Sequence, residues 1–256
     1  MLADTLREMK QDGVRRALAF VTSAYSSYSG CRQYRENIAR AQDEVGPGAP
    51  EIDKLRVFFN HPGFIAATEE RMREALVQVS ASTRGNIQIV YTAHSIPLSM
   101  ANTSDYVRQL EEVRQLVSER IGIPNHVLVY QSRSGAPGQP WLEPDILDHL
   151  RDVKARSAAT AVVLAPISFI SDHMEVLYDL DIEARQLCQS IGLPMVRAKT
   201  VGVHPAFITM IRELILERIT PGAERRALGS LGARQDVCAE DCCPAPPRPV
   251  RPPAPA

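Results

Sequence analysis

The sequence predicts an α/β protein built on parallel β-sheet. Three observations carry that expectation. Short apolar, β-branched runs alternate with longer segments of helical periodicity, and strands separated by helices form parallel βαβ units. Gly122 and Gly192 each close a helical segment and lead through a short turn into a strand, as C-terminal caps do. Pro62 and Pro205 each open one, in the first turn where the missing N–H costs nothing.

Taken in order, Met1-Leu-Ala-Asp-Thr-Leu-Arg-Glu-Met-Lys is an amphipathic pattern rather than a signal peptide, which predicts a helix over 2–11. A first strand follows over 16–21 and a helix over 32–44. The helix opened by Pro62 runs over 62–80. Ile87-Gln-Ile-Val-Tyr91 is an apolar run and predicts a buried strand over 87–91. A helix over 104–121 leads to a strand over 126–130. A helix over 145–155 leads to a strand over 161–165. A helix over 172–190 leads to a strand over 194–198, and the last helix spans 205–219. Beyond Pro221 the segment 224–232 is polar and weakly helical. The stretch from Pro244 to Ala256 is dominated by proline and alanine and predicts an extended tail without a core. The two halves read as one βα arrangement used twice, with no repeat of fixed period.

The bulk numbers exclude several classes. At 256 residues the chain is long enough for one large domain or two small ones, and 45% hydrophobic with 23% charged residues is ordinary for a globular protein. A net charge of −1 gives no electrostatic footprint for nucleic acid. No apolar run approaches the roughly 18 residues that a membrane span needs. The cysteines are Cys31, Cys188, Cys238, Cys242 and Cys243, an odd count that argues against a disulfide framework. The expected setting is therefore the cytoplasm, and the expected state a monomer.

His94 follows the strand over 87–91 directly. In open α/β sheets ligands sit beyond the carboxyl ends of strands, and imidazole binds transition metals and moves protons near neutral pH. The plainer alternative is a histidine that only hydrogen-bonds a loop carbonyl. Ser95 and Pro97 tighten the turn and favour a fixed ring. Glu175, Asp179 and Glu183 fall at i, i+4 and i+8 on one helix face, with Asp172 close by and no lysine interleaved. Like charges four apart cost a helix about 0.2–0.5 kcal/mol per pair. Asp172 as N-cap with Glu175 closing a capping box would explain the first turn, but not Asp179 and Glu183. A column of carboxylates would hold a hydrated divalent cation and pass it along. His173 is compatible with a proton relay or with a first-turn residue that has no task.

Trp141 is the only tryptophan and follows a Gly- and Pro-rich loop, where it is either a platform for a flat aromatic ligand or a loop anchor. Cys238, Cys242 and Cys243 form C-x3-C-C, a pattern that suggests metal or iron–sulfur ligation. Cys31, in a loop after the first strand, is the candidate fourth ligand. Cys188 lies on the apolar face of its helix with Leu180, Ala184 and Ile191 and is expected in the core.

With these residues assembled, the chain resembles the ferrochelatase family, and most of all the coproporphyrin III ferrochelatases of actinobacteria. The stretches that carry the resemblance are Tyr91-Thr-Ala-His-Ser-Ile-Pro97, Tyr130-Gln-Ser-Arg-Ser-Gly135 with Pro140-Trp-Leu142, and Pro166-Ile-Ser-Phe-Ile-Ser-Asp-His-Met-Glu175 continuing to Glu183. Asp12-Gly-Val-Arg-Arg16 also fits, and the similarity runs to about Glu217.

The resemblance implies two Rossmann-like, chelatase-type parallel-sheet halves around a porphyrin cleft. Residues 1–86 would form the first half, joined by helix 205–220. Residues 87–204 would form the second, and 221–256 a cysteine-containing segment with the proline-rich tail. The family's opening strands are not in this chain, so the first half is expected to be incomplete. The implied activity is insertion of ferrous iron into coproporphyrin III in haem biosynthesis. His94 and Glu175 would be the catalytic, iron-contacting pair. Asp179, Glu183 and His173 would form the metal relay, and Tyr34 (with Tyr28 as the alternative) and Trp141 would contact porphyrin. Cys31, Cys238, Cys242 and Cys243 match the ligands that hold a [2Fe–2S] cluster in some members. Rival readings are a protoporphyrin ferrochelatase, another tetrapyrrole chelatase of the cobalt or sirohydrochlorin type, which tends to show further metal-site histidines, and an inactive haem-binding or iron–sulfur fragment.

Overall fold

The computed structural model describes residues 1–135 and 138–246. Its elements are α1 (Leu2–Gln11), β1 (Arg16–Ala19), α2 (Gln33–Val45), β2 (Glu51–Lys54), α3 (Pro62–Val77), β3 (Ile87–His94), α4 (Leu98–Ala101), α5 (Tyr106–Ile121), β4 (His126–Gln131), α6 (Ile146–Arg156), β5 (Ala161–Pro166), α7 (Met174–Val176), α8 (Arg185–Ile191), β6 (Met195–Arg197) and α9 (Pro205–Ile219). A π-helical turn, Tyr28–Arg32, leads into α2, and a π-helical stretch, Leu177–Ala184, joins α7 to α8.

All pairings between these six strands are parallel, as the alternation of strand and helix predicts. β1 and β2 form a two-stranded sheet, and the other four strands form a sheet in the order β4-β3-β5-β6. The larger sheet is covered on both faces. Ile89, Tyr91 and Ala93 point to the side of α3, α5 and α9, while Val90, Val162 and Leu164 pack against α6 and the helix carrying Leu180, Ala184 and Cys188. This alternation follows from the two-residue period of a strand. Cys188 is buried in that second cluster, as its helical face predicts. Gly63 lets α3 and α9 touch: a Cβ there would lie 2.7 Å from the Ala206 carbonyl oxygen.

Four local expectations need correction. The short strand Glu51–Lys54 gives no apolar run in the sequence; its Asp53 is buried in ion pairs with Arg16 and Arg218 instead. β3 extends through His94, which therefore stands on the strand end and not in the loop after it. The helix expected from Asp172 begins only at Met174, because His173 is its N-cap. The segment 224–232 is not helical. Side chains hold it open: Asn60 donates to the Leu228 and Gly232 carbonyl oxygens, and the Glu112 carboxylate accepts from the Ser230 and Leu231 backbone N–H groups. Of the expected tail, residues 247–256 lie outside the described residues.

Candidate metal-insertion site

The carboxyl ends of β3, β4 and β5 converge, and the residues there fix His94. Its backbone N–H donates to Ser168 Oγ at 2.9 Å, and Tyr106 donates its hydroxyl to the His94 carbonyl oxygen at 3.0 Å. The ring Nδ1 lies 2.6 Å from the Ser95 carbonyl oxygen. A carbonyl only accepts, so Nδ1 carries a proton, and in the neutral ring Nε2 presents its lone pair. The Phe169 ring lies 6.2 Å from the imidazole and blocks one side.

Glu175 faces that lone pair, with Oε2 3.7 Å from Nε2. With the ring neutral, two acceptors face each other across that gap. The arrangement is satisfied only when a cation or a proton enters between them. About half of the Glu175 side chain and a third of His94 remain exposed, so the gap opens to a ligand.

The acids behind Glu175 divide by partner. Arg197 neutralises two of them, donating to both Asp181 oxygens and to Asp172 Oδ1. Asp172 also accepts from the Thr200 N–H, and so belongs to this ion pair rather than to the column. Asp179 and Glu183 have no cationic side chain within 4 Å among the described residues. The π-helical geometry of Leu177–Ala184 has more residues per turn than the 3.6 of an α-helix. Side chains four apart therefore line up more nearly along the axis, which straightens the column Glu175, Asp179, Glu183. The proposed relay residue His173 accepts the Glu175 N–H at its Nδ1, 3.3 Å away, and packs its ring against Phe169.

Trp141 is pinned to the segment after His94. It forms a β-bridge with Pro97, the Leu142 N–H donates to the Ile96 carbonyl oxygen, and Ser95 Oγ donates to the Leu142 carbonyl oxygen. Gly135 lies so close to the indole that a Cβ there would collide with it. Tyr34 lines a separate cavity of about 730 Å³ between α1, α2 and β1, whose lining does not include His94 or Glu175. Tyr28 donates its hydroxyl to Glu36.

Cys31, Cys238, Cys242 and Cys243 line one cavity of about 190 Å³ with Arg32, Arg35, Lys54 and Arg218. Arg35 donates to the carbonyl oxygens of Cys238, Ala239 and Glu240, which anchors the turn that carries three of the thiols. The Cys31 thiol donates towards Cys238 and, with Lys54 and Arg35 nearby, holds the Cys238 thiol well below its ordinary value; the same hydrogen bond and burial push Cys31 up. Among the described residues no three His, Cys, Asp or Glu side chains close around a single ion position. The four thiols line the same cavity without closing on one point.

Sequence reasoning missed Ser168, Tyr106, Phe169, Gln131 and Ser132. The signal for Gln131 and Ser132 was present, since they end an apolar strand run next to that of His94.

Parallel sheet, ligand groups at strand ends and an acid column facing an imidazole define a chelatase-type α/β protein. The ferrochelatase family model matches residues 1–219. A ferrochelatase of Rhodopirellula baltica is 52% identical over 251 residues, covering 98% of this chain and 71% of that protein. A coproporphyrin III ferrochelatase of Streptomyces coelicolor is 49% identical over 274 residues, covering 97% and 72%. The chain belongs to the ferrochelatase family, and is a lyase of that kind. Among solved structures, SirB from Bacillus subtilis with Fe3+ superposes with a TM-score of 0.59 at 13% identity over 87% of this chain and 81% of its own. CbiX superposes with a TM-score of 0.53 at 17% identity over 82% and 79%. These two likenesses are of fold.

Proposed function

We propose that this protein inserts ferrous iron into coproporphyrin III, with His94 and Glu175 as the pair that handles metal and protons. The observation that carries the reading is the 3.7 Å gap between two acceptors, His94 Nε2 and Glu175 Oε2. Metal insertion needs two pyrrole protons removed and a divalent cation delivered to the same point. The His94 lone pair, fixed by its Nδ1 hydrogen bond, accepts a proton or ligates iron. Glu175 neutralises the charge across the gap. Asp179 and Glu183 supply hard oxygen ligands, which hold hydrated divalent cations loosely enough to release them. Trp141, tied to the His94 turn, offers an aromatic wall to the macrocycle, whereas Tyr34 lines the separate cavity between α1, α2 and β1 and is not part of this wall. The choice of coproporphyrin rests on relatives of that name at 47–49% identity over at least 95% of this chain. We place the reaction in the cytoplasm and assign it to a monomer.

The four thiols fit a [2Fe–2S] cluster, which Cys31, Cys238, Cys242 and Cys243 would hold. When bound it supplies a one-electron redox centre. Arg35 and Arg32 keep the ligand turn on α2 through its carbonyl oxygens.

The decisive experiment is anaerobic insertion of ferrous iron into coproporphyrin III and protoporphyrin IX by the wild-type chain and by His94→Ala. The expected outcome is insertion with coproporphyrin III preferred, abolished in His94→Ala while porphyrin binding, followed by absorbance, survives. Insertion by His94→Ala at the wild-type rate overturns the assignment.

A further inference from the structure

Two tyrosines from distant parts of the chain hold the backbone around His94. Tyr106 opens α5 and donates its hydroxyl to the His94 carbonyl oxygen at 3.0 Å. Tyr25 donates its hydroxyl to the Ile167 carbonyl oxygen at 2.9 Å. Ile167 directly precedes Ser168, whose Oγ accepts the His94 N–H. The two rings meet edge to face, with centroids 5.9 Å apart. Both tyrosines are buried, and in a close-packed interior a shift of one is passed to the other.

The start of α5 is itself gripped from outside. Asp105, its N-cap, is followed by Gln109 and Glu112 at i+4 and i+7, the spacing of one helix face. Gln109 is fully buried and exchanges two hydrogen bonds with Ser26: its Oε1 accepts the Ser26 N–H at 2.7 Å, and its Nε2 donates to Ser26 Oγ at 2.9 Å. Ser26 adjoins Tyr25. Glu112 Oε2 accepts the Ser230 and Leu231 N–H groups at 2.8 and 3.0 Å and the Ser230 hydroxyl at 2.8 Å. Asp105 pairs with Arg234 at 2.9 Å, besides Arg108 on its own helix. Residues 228–234 thus lie as a strap along the first turns of α5, and Asn60 holds the strap through the Leu228 and Gly232 carbonyl oxygens. Gly229 shows how closely it lies: its φ is +76°, and a Cβ there would stand 2.6 Å from Glu112 Cδ.

No residue of the strap is buried, so its hold is mainly polar. Segments with few buried contacts open at low free-energy cost. On opening, Asp105 and Glu112 lose their partners, and Tyr106 loses the support that keeps it against His94. The strap also lies beyond residues 1–219, which the ferrochelatase family model matches, so membership alone assigns it no part in the reaction.

We propose that the strap and the Ser26 segment clamp α5 and thereby place His94 for metal insertion, with Asp105, Gln109 and Glu112 as positioning residues. None of the three touches the reacting atoms. Their effect passes through Tyr106 to the His94 carbonyl oxygen, and through Tyr25, Ile167 and Ser168 to the His94 N–H. The inference rests on the chelatase reading above, since it takes His94 as the reacting imidazole.

The test uses Zn2+ insertion into coproporphyrin III by the full chain carrying Arg234→Ala, Arg234→Lys or Gly229→Ala. Arg234→Ala removes the ion pair to Asp105, and Gly229→Ala drives a Cβ into Glu112 and lifts the strap. Both are expected to lower kcat about fivefold, a size that coupling between distant residues reaches, with the KM for Zn2+ and for porphyrin unchanged. Arg234→Lys, which keeps a cation opposite Asp105, is expected to recover most of the rate. Amide hydrogen exchange of the substrate-free variants, followed by mass spectrometry, is the second readout. Residues 91–97 and 105–112 should exchange faster in Arg234→Ala and Gly229→Ala, while β6 keeps the wild-type rate. A strap that only adds stability would lower the urea midpoint and leave kcat per folded molecule unchanged. Wild-type kcat in both folded variants, or unaltered exchange over 91–97, overturns the proposal. A wild type that inserts no metal, with variants that still exchange faster over 91–97, counts against the chelatase reading and not against the clamp.

Discussion

Arg197, at the end of β6, grips Asp181 with two nitrogens, Nε at 2.9 Å and Nη2 at 2.7 Å. This pair decides which acids of the helix remain free. Burial alone would raise the Asp181 carboxyl, but the hydrogen bonds and charges of Arg197 and Arg185 outweigh it and hold it below 3.8. Asp179 and Glu183, two residues away on either side, have no such arginine among the described residues.

Replacing Arg197 by methionine leaves Asp181 and Asp172 without their shared cation. We expect a loss of about 2 kcal/mol at pH 7, less than a fully buried pair costs because Asp181 keeps partial exposure. A depressed carboxylate stabilises the fold above its unfolded value and loses that contribution as pH falls through the folded one. The deficit in Arg197→Met should therefore shrink as pH falls below about 4, the ordinary range for Asp. Urea unfolding at pH 7 and pH 3 measures both.

Glu175→Gln and Glu183→Gln should fail in different ways. Glu175 faces the reacting point, so its amide should lower kcat by about 100-fold, with the metal KM little changed. Glu183 lies two turns further along the helix, so its amide should raise the metal KM several-fold at nearly normal kcat. Steady-state kinetics with varied Zn2+ separate the two, and identical profiles would dissolve the distinction between them.

His61 is the N-cap of α3 and is buried, with its Nδ1 accepting the Gly63 N–H. Burial first, then the charges of Arg56 and Arg226, lower its pKa from 6.5 to about 4. Between those values the unfolded chain takes up a proton that the folded chain refuses, so stability should fall as pH drops from 6.5 towards 4. The His61 contribution amounts to roughly 2–3 kcal/mol. In His61→Asn, which keeps a cap acceptor, the slope of stability against pH across that window should flatten.

Cys238→Ser should abolish the visible absorbance and bound iron of anaerobically purified protein. Arg35→Ala, which touches no sulfur, should weaken retention of the cluster by loosening the ligand turn. Unaltered absorbance and iron content in Cys238→Ser would rule out the proposed ligand set.

Much of this was legible in the chain. The strands of the larger sheet are apolar runs and announce themselves. β2 does not, because its buried Asp53 is tolerated there only through ion pairs with Arg16 and Arg218, far away in sequence. His94 and the i, i+4, i+8 acids were visible through position and spacing. Their sorting was not, since Asp172 and Asp181 are silenced by an arginine that only the fold brings near. The segment 224–232 was misread for the same reason: polar composition allows a helix, but Asn60 and Glu112 claim its backbone groups. Cys31 could be linked to the three distant thiols because its segment follows a strand and is free to reach the tail; it lies in the π-helical turn Tyr28–Arg32 and lines the same cavity as they do.

The π-helical stretch between Leu177 and Ala184 makes the acid column a matter of counting. Each residue turns an α-helix by about 100°, and this wider stretch by somewhat less. Deleting one residue inside the stretch would leave Arg185 and the helix beyond it seated on the sheet, yet swing Glu175 about a quarter of the way round and off His94. The length of this segment is thus as constrained as the identity of any side chain on it, and indels there should be tolerated less than most substitutions.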